Sequence, residues 1–444
     1  MNKRLILTFT YFLMLVSMAS AQESSNIPNG VVTLQKAISI ALENNHSITI
    51  ANNNAEINSN NATIGNAGLL PSLAASSSYS GSVADAEIRF PGQATQSIDG
   101  ATSNTLVGSV SVSYLLFDGF GNYYRFQSLK SLEEQAGVQA RLQIEGTLLQ
   151  VISLYLGVIT QQQNVIISEE AIARSLDRYN RVSKRFELGN ATRLDVLSAQ
   201  VDLNTDSVSF IQAENQLINA KRNLLIELGA EPDVDIQVSE AIVLNNSLLL
   251  EELLDASMQN NASVVLSKLS AENAMLGLKQ NRAGRFPKIN LNGSYDYFRS
   301  ESDAAQFEFQ KSTGFSGGIS LSLNLFNGFR QEIQIQNAQV QLKNNEESLF
   351  LAQKSLKRDV LNMYEDYETN LYLLIKEEVN LETAQLNFER SKQLFELGQI
   401  TNTQFREAQL NISRVQQNML RLKVQAKLSE VSLYQLSGQL INAE

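Results

Sequence analysis

The residues able to do chemistry are few in this sequence, and their types exclude most of it. One histidine, His46, stands in a polar, Asn-rich stretch, and there is no cysteine. A His/Cys metal centre therefore has no ligands, and neither a disulfide nor lipid attachment to a cysteine is available. A Ser/His/Asp triad could use only His46, which reads as a solvated surface residue. No serine sits in a nucleophile elbow and no phosphate loop occurs, so an enzyme, a metal site and a cofactor are not expected. A formal net charge of −11 argues against nucleic acid. What recurs instead is a break. FELGNATRLDVLSAQ (186–200) returns as FELGQITNTQFREAQ (395–409), 209 positions later. Gly189 and Gly398 stand where a helix end favours a residue free of the left-handed penalty. Thr192 with Asp195, and Thr401 with Gln404, have the spacing of a capping box that restarts a helix.

The elements that carry these breaks come in two copies. AGLLPSLAASSSYSG (67–81) matches AGRFPKINLNGSYDY (283–297) at an offset of 216, whereas VSVSYLLFDGF (110–120) matches ISLSLNLFNGF (319–329) at 209. The second copy therefore loses seven residues (216 against 209) between Pro287 and Phe326, expected to fall in a loop. Lys3 and Arg4, an apolar run over 5–16 and Ala19-Ser20-Ala21 form a secretory signal peptide over 1–21. The first repeat then spans 22–230, with a helical segment over 33–67, a β-hairpin at about 68–118, a long helix at about 122–188 and a helix over 192–228. The second spans 231–444, with a helical segment over 248–284, a β-hairpin at about 287–327, a long helix at about 331–397 and a helix over 401–437. At 1.5 Å per residue each long helix is roughly 100 Å long. Leu194, Leu197, Val201, Val208, Ile211, Ile218 and Leu225 follow a 3-4 spacing, as do Phe405, Ala408, Ile412, Val415, Met419, Leu422, Ala426 and Leu433. Such seams pack helices side by side as coiled coils.

The β-runs alternate. Val110, Val112, Tyr114 and Leu116 alternate with serines, and Ile319, Leu321, Leu323 and Leu325 alternate with Ser and Asn. This pattern gives one apolar and one polar face, as in membrane strands. Polar connections over 84–104 and 301–313 read as loops. Four strands cannot close a barrel, for which about eight is the smallest number, and an open edge has no partner in lipid. The chain must therefore associate with copies of itself, and three copies supply twelve strands.

With LFDGF (116–120), LFNGF (325–329) and the doubled FELG breaks in order along nearly the whole mature chain, the sequence resembles the TolC family of outer-membrane efflux proteins. The resemblance implies a mainly α fold with a membrane β-barrel, built as a homotrimer with a 12-stranded barrel and a 12-helix periplasmic tunnel. It implies the outer membrane of a Gram-negative bacterium, and a non-enzymatic exit duct for efflux or type I secretion. The implied partners are outer-membrane lipid, a periplasmic adaptor and an inner-membrane transporter of RND, ABC or MFS type. The tips Gly189, Asn190, Ala191, Thr192, Gly398, Gln399, Ile400 and Thr401 correspond to the adaptor-docking positions. The periplasmic gate maps to Asp195, Phe395, Gln404 and Glu407. Phe395 stands where the family has tyrosine, Ile400 where it has arginine and Gln404 where it has a carboxylate, so the latch must differ here. Threefold symmetry would turn Glu407, with Asp195, into rings of like charge that favour cations. A periplasmic adaptor with coiled-coil hairpins is the alternative, disfavoured because this chain has two equivalent hairpins and no further β-rich sequence.

Overall fold

The computed structural model describes residues 31–89, 91–92, 94–239, 242–245, 247–305 and 307–441. The signal peptide expected over 1–21 lies outside the described residues. The chain forms two compact units.

One unit comprises 51–142 and 255–358 and holds an antiparallel sheet. Its strands are β2 (Ser72–Ile88), β3 (Gln96–Phe117), β5 (Lys288–Ser302) and β6 (Phe309–Ser322), in the order β2-β3-β5-β6. The middle pairing joins the two copies, with Ser109 opposite Asp296 and Val110 opposite Tyr295. Residues opposite one another share a face. Ser76, Ser109, Asp296 and Gly314 therefore lie on one face, and Ala75, Val110, Tyr295 and Phe315 on the other. The polar face is tied laterally: Ser109 Oγ and Ser294 Oγ donate to Asp296 at 2.6 and 2.5 Å. β2 and β6 are the edges, and neither has a second partner among the described residues.

Two strand expectations change. Strand pairing runs through much of 84–104 and 301–313, leaving only 89–95 and 303–308 as connections. Residues exposed on both faces carry no period-two signal, so strand ends look like loop. β6 also ends at Ser322, before Leu323 and Leu325. The length lost by the second copy falls in its strands: β2 and β3 have 17 and 22 residues, β5 and β6 only 15 and 14.

The second unit comprises 31–50, 143–254 and 359–441 of the described chain. A short parallel pair, β1 (Val31–Val32) with β4 (Gln237–Val238), is pinned by Tyr155, whose hydroxyl donates to Val32 O at 2.9 Å. Around it pack Val151, Ile159, Leu224, Leu225, Leu228 and Val431. The expected single helices of about 35 residues are each broken once. The first copy has α1 (Leu34–Asn44) and α2 (His46–Asn61), and the second has α5 (Leu250–Asn260) and α6 (Ala262–Ala283). Asn45 Oδ1 accepts from Ser47 N, and Asn261 Oδ1 from Ser263 N, so an asparagine side chain restarts each helix. Gly229 is required beside the first break: it has φ 72°, and a Cβ there would sit 2.3 Å from Asn44 O.

The remaining helices are α3 (Gly121–Glu187), α4 (Arg193–Glu227), α7 (Arg330–Glu396) and α8 (Asn402–Leu436). α3 and α7 each run 67 residues, and α4 and α8 each run 35. The two seams differ in fate. On α8, Phe405, Ala408, Ile412, Val415, Leu422, Ala426 and Leu433 are buried within the chain. On α4, Leu197, Val201, Val208, Ile211 and Ile218 are exposed; of its seam Leu225 is buried, and the other buried residues, among them Val196, Ala199 and Ala213, lie off the seam. Tyr372, Ile375, Val379 and Leu386 form a second exposed stripe on α7.

Candidate functional site: the helical tips

α3 and α7 end in the same turn. Gly189 and Gly398 take φ 76° and 74°, and the amides of Asn190 and Gln399 donate back to Arg185 O and Leu394 O, both at 2.8 Å. This is the Schellman closure that the glycines permit. Thr192 and Thr401 then cap α4 and α8 through complete capping boxes. Asp195 Oδ2 accepts from Thr192 N at 2.9 Å and from its hydroxyl at 2.6 Å. These bonds, the hydroxyl's first, hold the Asp195 carboxyl below its ordinary pKa. In the other copy Gln404 Oε1 accepts from Thr401 N at 2.9 Å.

Between the tips lies a small core of Val182, Val196, Ala199, Phe395 and Phe405, against which Ala191 and Ile400 are half-buried. Phe395 stacks on Phe405 with centroids 4.7 Å apart, and the Arg185 guanidinium lies 5.3 Å from its ring. Phe395, expected at the gate, is thus a buried packing residue. Glu407 is exposed, and no hydrogen bond or ion pair involves it among the described residues. Gly189, Asn190, Thr192, Gly398, Gln399 and Thr401 are exposed. So are three leucines missing from the sequence-derived tip residues, Leu188, Leu194 and Leu397. Their apolar exposure at a turn is a feature of contact surfaces.

Further along the same helices stands an ion cluster that periodicity did not reveal. Arg178 of α3 is 0% exposed, and its Nη2 meets Asp202 Oδ2 of α4 at 2.6 Å. Arg406 of α8 forks onto Asp206 of α4, with Nη1–Oδ2 at 2.7 Å and Nη2–Oδ1 at 2.8 Å. Its Nη1 also donates to Ser175 Oγ of α3 at 3.1 Å, and Ser175 is hydrogen-bonded to Asp206. Burial pulls the Arg178 guanidinium below its ordinary pKa, and the Asp202 carboxylate opposes the shift. Two cations and two carboxylates tie three helices. Desolvation of such a set is costly, so its loss by halves is severe. The sequence signal was available only as pairs: Arg174 and Arg178 on one helix, Asp202 and Asp206 on another, both at i,i+4.

The outer membrane efflux protein family matches residues 37–230 and 253–439. The TolC outer membrane protein of Vibrio cholerae is 22% identical over 350 residues, covering 76% of this chain and 78% of that protein. The alkaline protease secretion protein AprF of Pseudomonas aeruginosa is 24% identical over 300 residues, 65% of this chain and 60% of AprF. Among solved structures, CusC superposes with a TM-score of 0.74 at 16% identity, covering 96% of this chain and 95% of CusC. The open-state MtrE channel of Neisseria gonorrhoeae gives 0.73 at 16% identity, covering 96% of each chain. These likenesses give the fold, and the adaptor alternative gains no support from them.

Proposed function

We infer that this chain, which belongs to the outer membrane efflux protein family, completes its membrane barrel only when three copies meet. It is an outer-membrane protein and an exit duct. The observation that carries the three-copy reading is the four-stranded sheet with both edges unpaired. In lipid those backbone groups have no other partner than a strand of another copy. Three sheets closing edge to edge, β6 on β2, give twelve strands. The serine-rich face then lines the lumen and the apolar face meets lipid. The same assembly would cover the exposed stripes of α4 and α7 with each other, copy on copy, as a ring of twelve helical rods.

In this reading the tips dock a periplasmic adaptor through Gly189, Asn190, Ala191, Thr192, Gly398, Gln399, Ile400 and Thr401, with Leu188 and Leu397 as apolar anchors. The adaptor connects the duct to an inner-membrane transporter. Transport through the duct is passive. AprF serves protease secretion and two Pseudomonas putida relatives, TtgC and ArpC, are efflux pump proteins by name, which supports cargo set by the partner pump. The mouth is lined by Asp195, Gln404 and Glu407, with Phe395 packed behind them. Its latch is the Arg178–Asp202 and Arg406–Asp206 cluster, standing in for the arginine and carboxylate that Ile400 and Gln404 replace.

Electron microscopy of the detergent-extracted protein tests the assembly. A threefold particle with a detergent belt at one end is the expected result. A monomer, or a six-membered ring without a belt, would overturn it.

A further inference from the structure

A cavity opens between α3, α4 and α8, beside the ion cluster. It holds about 290 Å3, at the lower end of the volumes of small-molecule sites. Arg174 of α3, Asp206 of α4, and Arg406, Gln409 and Arg414 of α8 line it. Asp206 is the one carboxylate of this lining, and it is taken by Arg406. The other two guanidiniums therefore set the charge of the cavity. Arg174 is fixed by three neighbours. Its Nη1 donates to Glu170 Oε2 at 3.1 Å, its Nη2 donates to Ser413 Oγ at 3.0 Å, and its guanidinium lies 5.8 Å from the Phe388 ring. Ser413 precedes Arg414, so the α3 guanidinium rests against the α8 turn that carries Arg414. Arg414 itself is exposed, and no hydrogen bond or ion pair involves it among the described residues. With Arg178 included, four guanidiniums in this patch meet three carboxylates, Glu170, Asp202 and Asp206. The positive charge left over is that of Arg414.

The wall also carries polar atoms without partners. Gln409 is 3% exposed, and its Nε2 donates to Arg174 O at 3.2 Å. Its Oε1 is buried and has no hydrogen-bond partner among the described residues, and neither has Arg174 Nε. Folded chains leave few such atoms, because each forfeits its water without replacing it. An acceptor, a donor and an unpaired guanidinium thus converge on one cavity. Ile167, Ala171 and Leu410 give the same cavity an apolar side. The matching occupant carries a carboxylate, one O–H or N–H donor and a small apolar body. Guanidinium forks suit a carboxylate in charge and in shape.

We propose that this cavity binds a small organic acid, its carboxylate on Arg174 and Arg414, its donor on Gln409 Oε1 and its body against Ile167, Ala171 and Leu410. The bound acid joins α3 to α8 across the Arg406–Asp206 pair and so holds the tip shut. That consequence rests on the latch reading above, whereas binding is measured apart from it. The probe is para-hydroxybenzoate, with the neutral para-hydroxybenzamide as its control, titrated onto the full-length protein in detergent and followed by saturation-transfer NMR. The acid should bind, and the amide at least about tenfold more weakly, the difference made by one charge-assisted contact. Arg414→Gln should weaken the acid by a similar factor, and Ser209→Trp, which fills the cavity from α4, should do the same. Both positions are exposed, so the helices should persist in both variants. No binding at millimolar acid, equal binding of acid and amide, or full binding by both variants would each overturn the site. In planar bilayers the acid should lower the conductance of the parent and have no effect on the Arg414→Gln channel. Binding without any change in the parent's conductance would overturn the latch reading and leave the site standing.

Discussion

Asp195 and Gln404 occupy the same place in two copies of one turn, yet only one of them titrates. Asp195 has its pKa lowered by the fold, so its stabilising bonds to Thr192 are present above the unfolded-state value and are lost as pH falls through the folded one. Gln404 accepts the corresponding bonds at any pH. Acidification below the ordinary aspartate range should therefore loosen the start of α4 and spare that of α8. Hydrogen exchange of the two tips along a pH series reads this directly, and Asp195→Gln should abolish the difference. Equal loosening of both tips would sink it. Thr192→Ala and Thr401→Ala should each cost about 1 kcal/mol as lost caps. Glu407, exposed and unpaired, is the residue to carry charge selectivity at the mouth. An E407Q channel should lower the cation/anion permeability ratio in planar bilayers, and an unchanged ratio would remove Glu407 from the role. The caps were legible in the sequence because a capping box is written within four consecutive residues. The role of Phe395 was not, since its burial depends on Phe405 of the following helix.

At the scale of elements, α3, α4 and α8 are joined by a cluster in which Arg178 and Asp206 are buried, so that removing Asp202 or Arg406 strands a buried charge. Arg406→Gln should cost about 3–5 kcal/mol in unfolding measurements, because Asp206 is then stranded. Adding Asp206→Asn should restore part of that loss. Additive losses would mean the two residues do not share an interaction in solution. If the cluster latches the tip, single-channel recordings of Arg406→Gln should show a higher conductance, and a conductance equal to the parent's would confine the cluster to stability. The helices themselves were readable from their length and period, and their ends from the glycines. The asparagine breaks at 45 and 261 were not read, although ENNHSI and QNNASV repeat, because an N-cap inside a helical pattern looks like any polar residue. The strand ends were missed for the opposite reason: nothing buried either face, so no pattern marked them.

For the whole molecule, α4 and α8 carry the same spacing with opposite outcomes, and period alone could not have told them apart. Packing within the chain claims the seam of α8, whereas the seam of α4 is buried at Leu225 and open from Leu197 to Ile218. The two should respond differently to substitution. Phe405→Ala should destabilise the isolated chain by about 3–5 kcal/mol, the ordinary cost of emptying a buried aromatic site. Val201→Ser, Val208→Ser and Ile211→Ser together should leave its helicity intact and shift native mass spectra from three copies toward one. Three copies with undiminished occupancy would place the α4 stripe outside any interface. The unpaired edges of β2 and β6 carry the same logic into time. A newly exported copy is an unfinished object, with two open edges that any stray strand can claim. On the three-copy reading its completion is a collision problem, steep in concentration, so that scarcity is punished more than proportionally and the stability of the assembly depends on how many copies are present.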